Sequence, residues 1–456
     1  MIDNMNKNIP RSKIILALIS LVITFLVWQQ GLKDSLNRPS VSFDITQKEN
    51  EIAELAFQSI PTNFKKFIIP NNPVQEINIS LSNISFNELS ERNKLILIIS
   101  SDSGKYNIDE KSLNDFKNKN YVLLVNELKK KSKDNFYRAD YELFDFFKSD
   151  RFLYHLLSKK FNFNEDSSIT KNFSKRMFFK IIAIRLLPLI TIFLGSVLAL
   201  RTLWTSISSR KVPWKEFKSL NLELIDMVLL IAGGFVVLGE LFSPLFSIGL
   251  VELFSKNLTI ELSQSLKIFF GYLFMTIPPL LILYYQIKSS DGEFIFKKDY
   301  FGFNGLPIKK AIIQGFKGWL IIIPFVLVVS LIMNLLVDNQ NGSNPLLEIV
   351  LNNNNYFSFF LLFLTTTFLA PLFEEIIFRG VLLPILSRDY GINLGILISA
   401  FIFALAHLSI GEMPPLLVLG IGLGITRIVS GSLLSSVVMH SLWNGLTFLN
   451  LFLLRT

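Results

Sequence analysis

The stretch "FEEIIFRG", Phe373 to Gly380, decides how this chain is read. "FLLFLTTTFLAPL" (Phe360–Leu372) precedes it and "VLLPIL" (Val381–Leu386) follows, so the whole segment reads as a membrane-spanning helix. Inside it stand two adjacent carboxylates and a guanidinium, Glu374, Glu375 and Arg379. Each charge at the centre of a span costs about 2.5–3.5 kcal/mol on the insertion scale, so three cost roughly 8–10. The strongly apolar residues between Phe359 and Leu383 return only about 6–7 kcal/mol, so the helix inserts marginally by itself. The charges must therefore face protein, water or each other. Glu375 and Arg379 are four apart, share a helix face and can pair. Glu374 is rotated by about 100° and points along another line. One carboxylate can then serve as a structural ion pair while the other stays available for proton chemistry. Pro371, just upstream, loosens the helix at that point.

Composition agrees with a membrane reading. Half of the residues are hydrophobic, only 18% are charged, and Phe alone occurs 43 times. A soluble domain carries about a quarter charged residues. With no cysteine, disulfides, thiolate metal sites and a Cys nucleophile are excluded. The net charge of +9 is spread over loops, which argues against nucleic-acid binding and for topology signals. The many Lys, Asn, Ile and Phe residues suggest a bacterial source.

The first apolar run, Ile14–Trp28, follows Lys7, Arg11 and Lys13 and lacks a small-residue cleavage site, so it reads as an uncleaved anchor with a cytoplasmic N-terminus. Residues 32–176 are polar with short apolar patches and read as a soluble domain inserted after the first span. Leu143–Phe161 has helical spacing within it, and His155 there reads as a packed or half-buried histidine. Further spans are expected near 178–201, 225–252, 266–287, 318–338, 357–387, 391–410, 414–430 and 432–454, with Pro244 breaking the second of these. The fold expected is mainly α, a polytopic helical membrane protein of about eight or nine spans. Its parts are an anchor at 1–31, the soluble domain at 32–176, transmembrane helices at 177–340 and a catalytic core at 341–456. Basic clusters at Arg201–Lys218 and Lys288–Lys317 alternate with loops of little positive charge. That pattern fits an N-in start and an extracytoplasmic 32–176 domain, although Lys171, Lys175, Arg176 and Lys180 argue mildly against it. Gly420 and Gly424 have the small-xxx-small spacing of close helix packing. "GIGLG" lies inside a span with no preceding strand, so it is not a dinucleotide fingerprint.

Two of the three histidines lie close downstream of the glutamates: His407 in "FALAHL" and His440 in "HSLWN", with Asn444 four residues after the latter. At 1.5 Å per residue, Glu375 lies about 18 Å from the expected cytoplasmic turn, His407 about 24 Å, and His440 and Asn444 about 12–18 Å. All fall in one mid-membrane layer. Two chemistries suit the set. In one, a glutamate and a histidine activate water while His440 and Asn444 stabilise an oxyanion. In the other, Glu374, His407 and His440 hold one divalent metal such as zinc. A buried polar network that only holds helices together is the structural alternative.

The ordered set "EEIIFR", "FALAH" and "HSLWN" resembles the CPBP family of intramembrane proteases, which includes the type II CAAX prenyl endopeptidases and the bacterial Abi proteins. The resemblance covers about residues 360–450. It implies that Glu374 activates water with His407, that Glu375 and Arg379 support it, and that His440 and Asn444 line the oxyanion side. It implies a hydrolase, an endopeptidase acting on a membrane-associated, lipid-bearing protein or peptide (CAAX-box processing) in a bacterial cytoplasmic membrane. Whether the site is a metallopeptidase or metal-free stays open, as does oligomeric state. The second function class is a non-proteolytic membrane protein that binds or sequesters a partner, as in bacteriocin immunity. The intact motif set favours the enzyme.

Overall fold

A computed structural model describes residues 9–37, 41–101, 116–130, 145–161, 167–209, 214, 220–254, 258–291, 301–336, 345–353 and 355–455. Among these residues every regular element is helical. The chain divides into two compact units, Ser42–Pro188 with Leu453–Thr456, and Met1–Val41 with Leu189–Phe452. After helix α1 (Arg11–Leu36) the first of these units begins with α2 (Ser42–Ala56), α3 (Thr62–Ile68), α4 (Pro73–Ser82), α5 (Glu91–Ser100), α6 (Lys119–Lys130) and α7 (Arg151–Phe161). Helix α8 (Ser167–Ser209) then carries the chain across the boundary at Pro188.

The starts of these short helices follow from capping residues. Asn72 accepts from the N–H groups of Val74 and Gln75, with Pro73 at the first helical position, and Ser90 accepts from Asn93. The expected Leu143–Phe161 helix, described from Asp145, is broken at Asp150. The Asp150 carboxylate accepts from the Leu153 N–H at 3.1 Å and so starts α7 afresh after a 3₁₀ turn at Phe147–Ser149. Ile52, Ile77, Leu81, Leu95, Leu124, Leu153 and Leu157 are fully buried and form the core of this unit. Two ion clusters flank it. Arg92 bridges Glu51 (2.7 and 2.9 Å) and Asp150 (2.6 and 3.2 Å). Glu54 takes Lys159 at 2.5 Å and His155 at 3.4 Å, which makes His155 a half-buried structural histidine. None of the described helices between 42 and 161 is long and apolar enough to cross a membrane.

The other unit contains α1 and α9 (Leu224–Phe254), α10 (Ile260–Asp291), α11 (Ile308–Leu336), α12 (Pro345–Asn352), α13 (Tyr356–Tyr390), α14 (Ile392–Leu405), α15 (Met413–Ser430) and α16 (Leu433–Leu453). Seven described helices are long and apolar enough to span a bilayer: α1, α8, α9, α10, α11, α13 and α15. The protein is a multi-pass integral membrane protein. Of the remaining expected spans, 391–410 appears as the shorter α14 of 14 residues. The segment 432–454 appears as α16, which is 21 residues long but diluted by serines, His440 and Asn444. Large apolar side chains such as Phe193, Trp204, Leu245, Phe325 and Phe401 face outward, as a lipid solvent requires.

The core of this unit is an aromatic and aliphatic cluster running through Phe235, Trp319, Ile322, Phe373, Phe378, Phe403, Leu423 and Met439. Helix α1 belongs to it: Val27 and Trp28 pack on this cluster, Lys13 pairs with Asp226 at 2.6 Å and Thr24 donates to Ala232 O at 3.3 Å. The expected break at Pro244 does not occur: α9 is π-helical over Leu229–Phe242 and continues as α-helix from Ser243 through Pro244, which stands in the first turn of that α-helical part. Two glycines turn the chain sharply. Gly391 (φ 84°) links α13 to α14, and Gly431 (φ 68°) ends α15 in the left-handed conformation that glycine adopts without penalty.

Candidate active site

The glutamate helix α13 is irregular where its charges lie. Thr365–Leu369 and Ile376–Leu382 are π-helical on either side of a short α turn, Ala370–Glu375. The first irregularity has a chemical cause. The Ala370 N–H bonds to Thr365 O, five residues back, so the next bond in that pattern would run from residue 371 to Thr366 O. Residue 371 is proline and has no N–H. The Asn444 amide of α16 supplies the missing donor, at 2.9 Å from Thr366 O. One N–H of Asn444 is thus committed to holding α13, and one remains.

Glu375 and Arg379 form the expected pair. Arg379 Nη1 donates to Glu375 Oε1 at 2.9 Å, with both side chains about fully buried (1% and 0% exposed). Arg379 Nη2 donates to Gly420 O at 3.3 Å, and its guanidinium lies 4.2 Å from the Phe403 ring centroid. Gly420 permits this approach of α15, since a Cβ there would sit 3.0 Å from the Ala400 Cβ of α14.

His440 is the hub of the site. Its Nδ1 lies 3.0 Å from Glu375 Oε1. A carboxylate only accepts, so Nδ1 carries a proton and Nε2 is the ring nitrogen turned toward Glu374. That Nε2 lies 3.8 Å from Glu374 Oε2, beyond a direct hydrogen bond and within reach of a bridging water. The two glutamates, expected on separate lines, converge on one imidazole. Their environments still differ. Glu374 is 15% exposed and Glu375 is sealed. Glu374 Oε1 accepts from the Tyr272 hydroxyl at 3.2 Å, while Glu374 Oε2 and Glu375 Oε2 have no hydrogen-bond partner among the described residues.

His407 stands just past the end of α14 rather than within it. Its Nδ1 donates to Phe403 O at 2.8 Å, and its ring packs edge-on against Phe403 (centroids 4.7 Å apart). Phe403 also meets the His440 ring, at 5.6 Å. The next residue, Leu408, has φ 49°, a left-handed conformation that costs a branched side chain energy and that tends to occur at functional sites. Helix α1 braces this turn: Ser35 Oγ accepts from the Ile410 N–H at 3.3 Å, and Gly31 faces the Leu408 side chain.

The expected metal set is Glu374, His407 and His440. Among the described residues no three His, Cys, Asp or Glu side chains gather as metal ligands. His440 Nδ1 is held by Glu375 and His407 Nδ1 by Phe403 O, which leaves the two Nε2 atoms as the ring nitrogens facing outward from these contacts. Tyr272 was not singled out by sequence. The one signal for it is a hydroxyl in the otherwise apolar "FFGYLFM" of α10, and nothing in the spacing ties it to α13.

Residues 356–446, which hold every one of these groups except Tyr272, match the family model described as type II CAAX prenyl endopeptidase Rce1-like. This segment is similar to the Rce1-like domains that the model describes. The resemblance carried by the Glu-Glu-x-x-x-Arg, Phe-x-x-x-His and His-x-x-x-Asn motifs is therefore shared by a match over the same helices. The Rce1-like match supports an intramembrane protease of the CAAX type, acting on a membrane-associated substrate. Residues 42–179 match a second model, described as a domain of unknown function, DUF8675. No curated protein and no solved structure matches the chain.

Proposed function

We propose that the protein is an intramembrane endopeptidase that hydrolyses a peptide bond in a membrane-associated, lipid-bearing protein or peptide, with Glu374 as the general base. One observation carries this reading. Glu374 Oε2 is buried without a partner beside the free Nε2 of His440, whereas the neighbouring Glu375 is neutralised by Arg379. A water donating one hydrogen to each acceptor would be held for attack. Glu374 takes a proton from it as the hydroxide oxygen bonds to the scissile carbonyl carbon. The same proton then passes to the departing amine as the C–N bond breaks. The second N–H of Asn444 serves the developing oxyanion, and His407, its Nδ1 held by Phe403 O, keeps Nε2 as a further acceptor. No step requires a metal ion. In the cell, a strain carrying Glu374→Ala should accumulate unprocessed C-termini in its membrane proteome. Identical C-termini in both strains would overturn the assignment.

The unit of helices between residues 42 and 161 is proposed to be a non-spanning, extracytoplasmic insert in a bacterial cytoplasmic membrane, with the N-terminus inside. The polar composition of this region and the alternation of basic loops support that orientation. Because the chain lacks cysteine, a single Ser82→Cys variant tests it. An impermeant maleimide should label intact cells, and labelling only after lysis would reverse the topology.

A further inference from the structure

Tyr272 lies outside the segment matched by the protease family, on α10, yet it touches the proposed base more directly than any histidine does. Its hydroxyl is 3.2 Å from Glu374 Oε1 and 3.4 Å from Ala370 O. The ring is fixed by an edge contact with Phe373 (6.2 Å, 87°), and Phe373 in turn stacks on Phe235 of α9 at 6.0 Å. The other charged or titratable groups around this carboxylate are Glu375 and Arg379 on its own helix and His440 on α16.

A phenol has one proton and here two acceptors in reach, and the ionised carboxylate is the stronger acceptor of the two. Donation to Oε1 makes the two oxygens of Glu374 unequal. Without it the terminal torsion of a glutamate is broad and nearly two-fold, and either oxygen could turn toward His440. With it, Oε1 is tethered to α10 and Oε2 is the atom left facing His440 Nε2 at 3.8 Å. Were Glu374 to bind a proton during turnover, Tyr272 could swing its own hydrogen to Ala370 O and accept from the new carboxyl O–H. The buried site would then keep its hydrogen bonds in both states.

We infer that Tyr272 is a positioning residue for Glu374, holding Oε1 so that Oε2 is the oxygen presented to water and substrate, and that α10 is therefore part of the catalytic apparatus. The inference rests on the reading of Glu374 as the base. A tyrosine that merely satisfied its hydroxyl on Ala370 O would contribute to stability and leave turnover alone.

The test uses the full chain in proteoliposomes with a farnesylated CAAX peptide as probe. Tyr272→Phe keeps the ring and removes the hydroxyl. The expected result is a kcat lowered about 10–100-fold, a KM within about twofold of wild type and an unchanged melting temperature. An infrared difference spectrum between wild type and Tyr272→Phe should contain a carboxylate band that disappears when both proteins also carry Glu374→Gln. That band reports on the contact whether or not the probe is cleaved, and its absence overturns the inference. If Glu374→Ala turns over at the wild-type rate, the catalytic reading falls and this one falls with it. Wild-type kcat in Tyr272→Phe beside an inactive Glu374→Ala overturns the Tyr272 assignment alone.

Discussion

Two regions of the described structure combine buried carboxylates with a cation or a histidine, and they are built on opposite plans. In the 42–188 unit, Arg92 spreads four hydrogen bonds over Glu51 and Asp150, and Glu54 is met by both Lys159 and His155. Arg92 and Lys159 keep contact with solvent, so the charge balance there is cheap. In the membrane core, two adjacent glutamates share a single histidine and a sealed arginine, and each glutamate retains an oxygen without a partner. A buried acceptor left open costs free energy that a structural network would avoid. The saturated cluster reads as fastening and the unsaturated one as a site kept ready for water and substrate.

Arg379→Ala would strand a buried, uncompensated Glu375, so the membrane unit should lose about 3–5 kcal/mol, measured as a large fall in melting temperature in nanodiscs. A loss no greater than that of a surface substitution would mean that the pair is not sealed as described. Arg92→Ala should cost less, about 1.5–3 kcal/mol, because its partners can reach water through the space vacated, and the rate of peptide cleavage should not change. Lost cleavage in Arg92→Ala would show that the two clusters are not separate in function.

The smallest effect concerns acid. Burial raises the Glu54 carboxyl, but the hydrogen bonds from His155 and Lys159 outweigh it and hold the group below its ordinary value of 4.5. A depressed folded-state value means that the stabilisation is complete above about pH 4.5 and is lost as pH falls through the lower folded value. The 42–188 unit should melt progressively earlier below pH 4.5, with a shallower slope in Glu54→Gln. Equal slopes in the two proteins would remove Glu54 from the account.

Much of this was legible in sequence because membranes impose simple rules. Apolar run lengths gave the helices, and three charges in "FEEIIFRG" marked the place where lipid could not be the only solvent. The i,i+4 spacing gave the Glu375–Arg379 pair. Other features depended on irregular backbone. Regular helical geometry sends Glu374 and Glu375 along different lines, whereas the π-helical turns around them let both reach His440. Asn444 looked like an oxyanion donor from its spacing to His440, and half of its amide is engaged by a carbonyl that Pro371 leaves open. Tyr272 is a contact between helices distant in sequence, about which periodicity is silent.

The most direct measurement is cleavage of a farnesylated CAAX peptide by the purified chain in proteoliposomes, before and after chelation, with Glu374→Ala alongside. Wild type should cleave at the same rate in both conditions, and Glu374→Ala should fall by about 10²–10⁴-fold without unfolding, the usual contribution of a general base. Undiminished turnover by folded Glu374→Ala, or activity that chelation abolishes and zinc restores, would contradict the account.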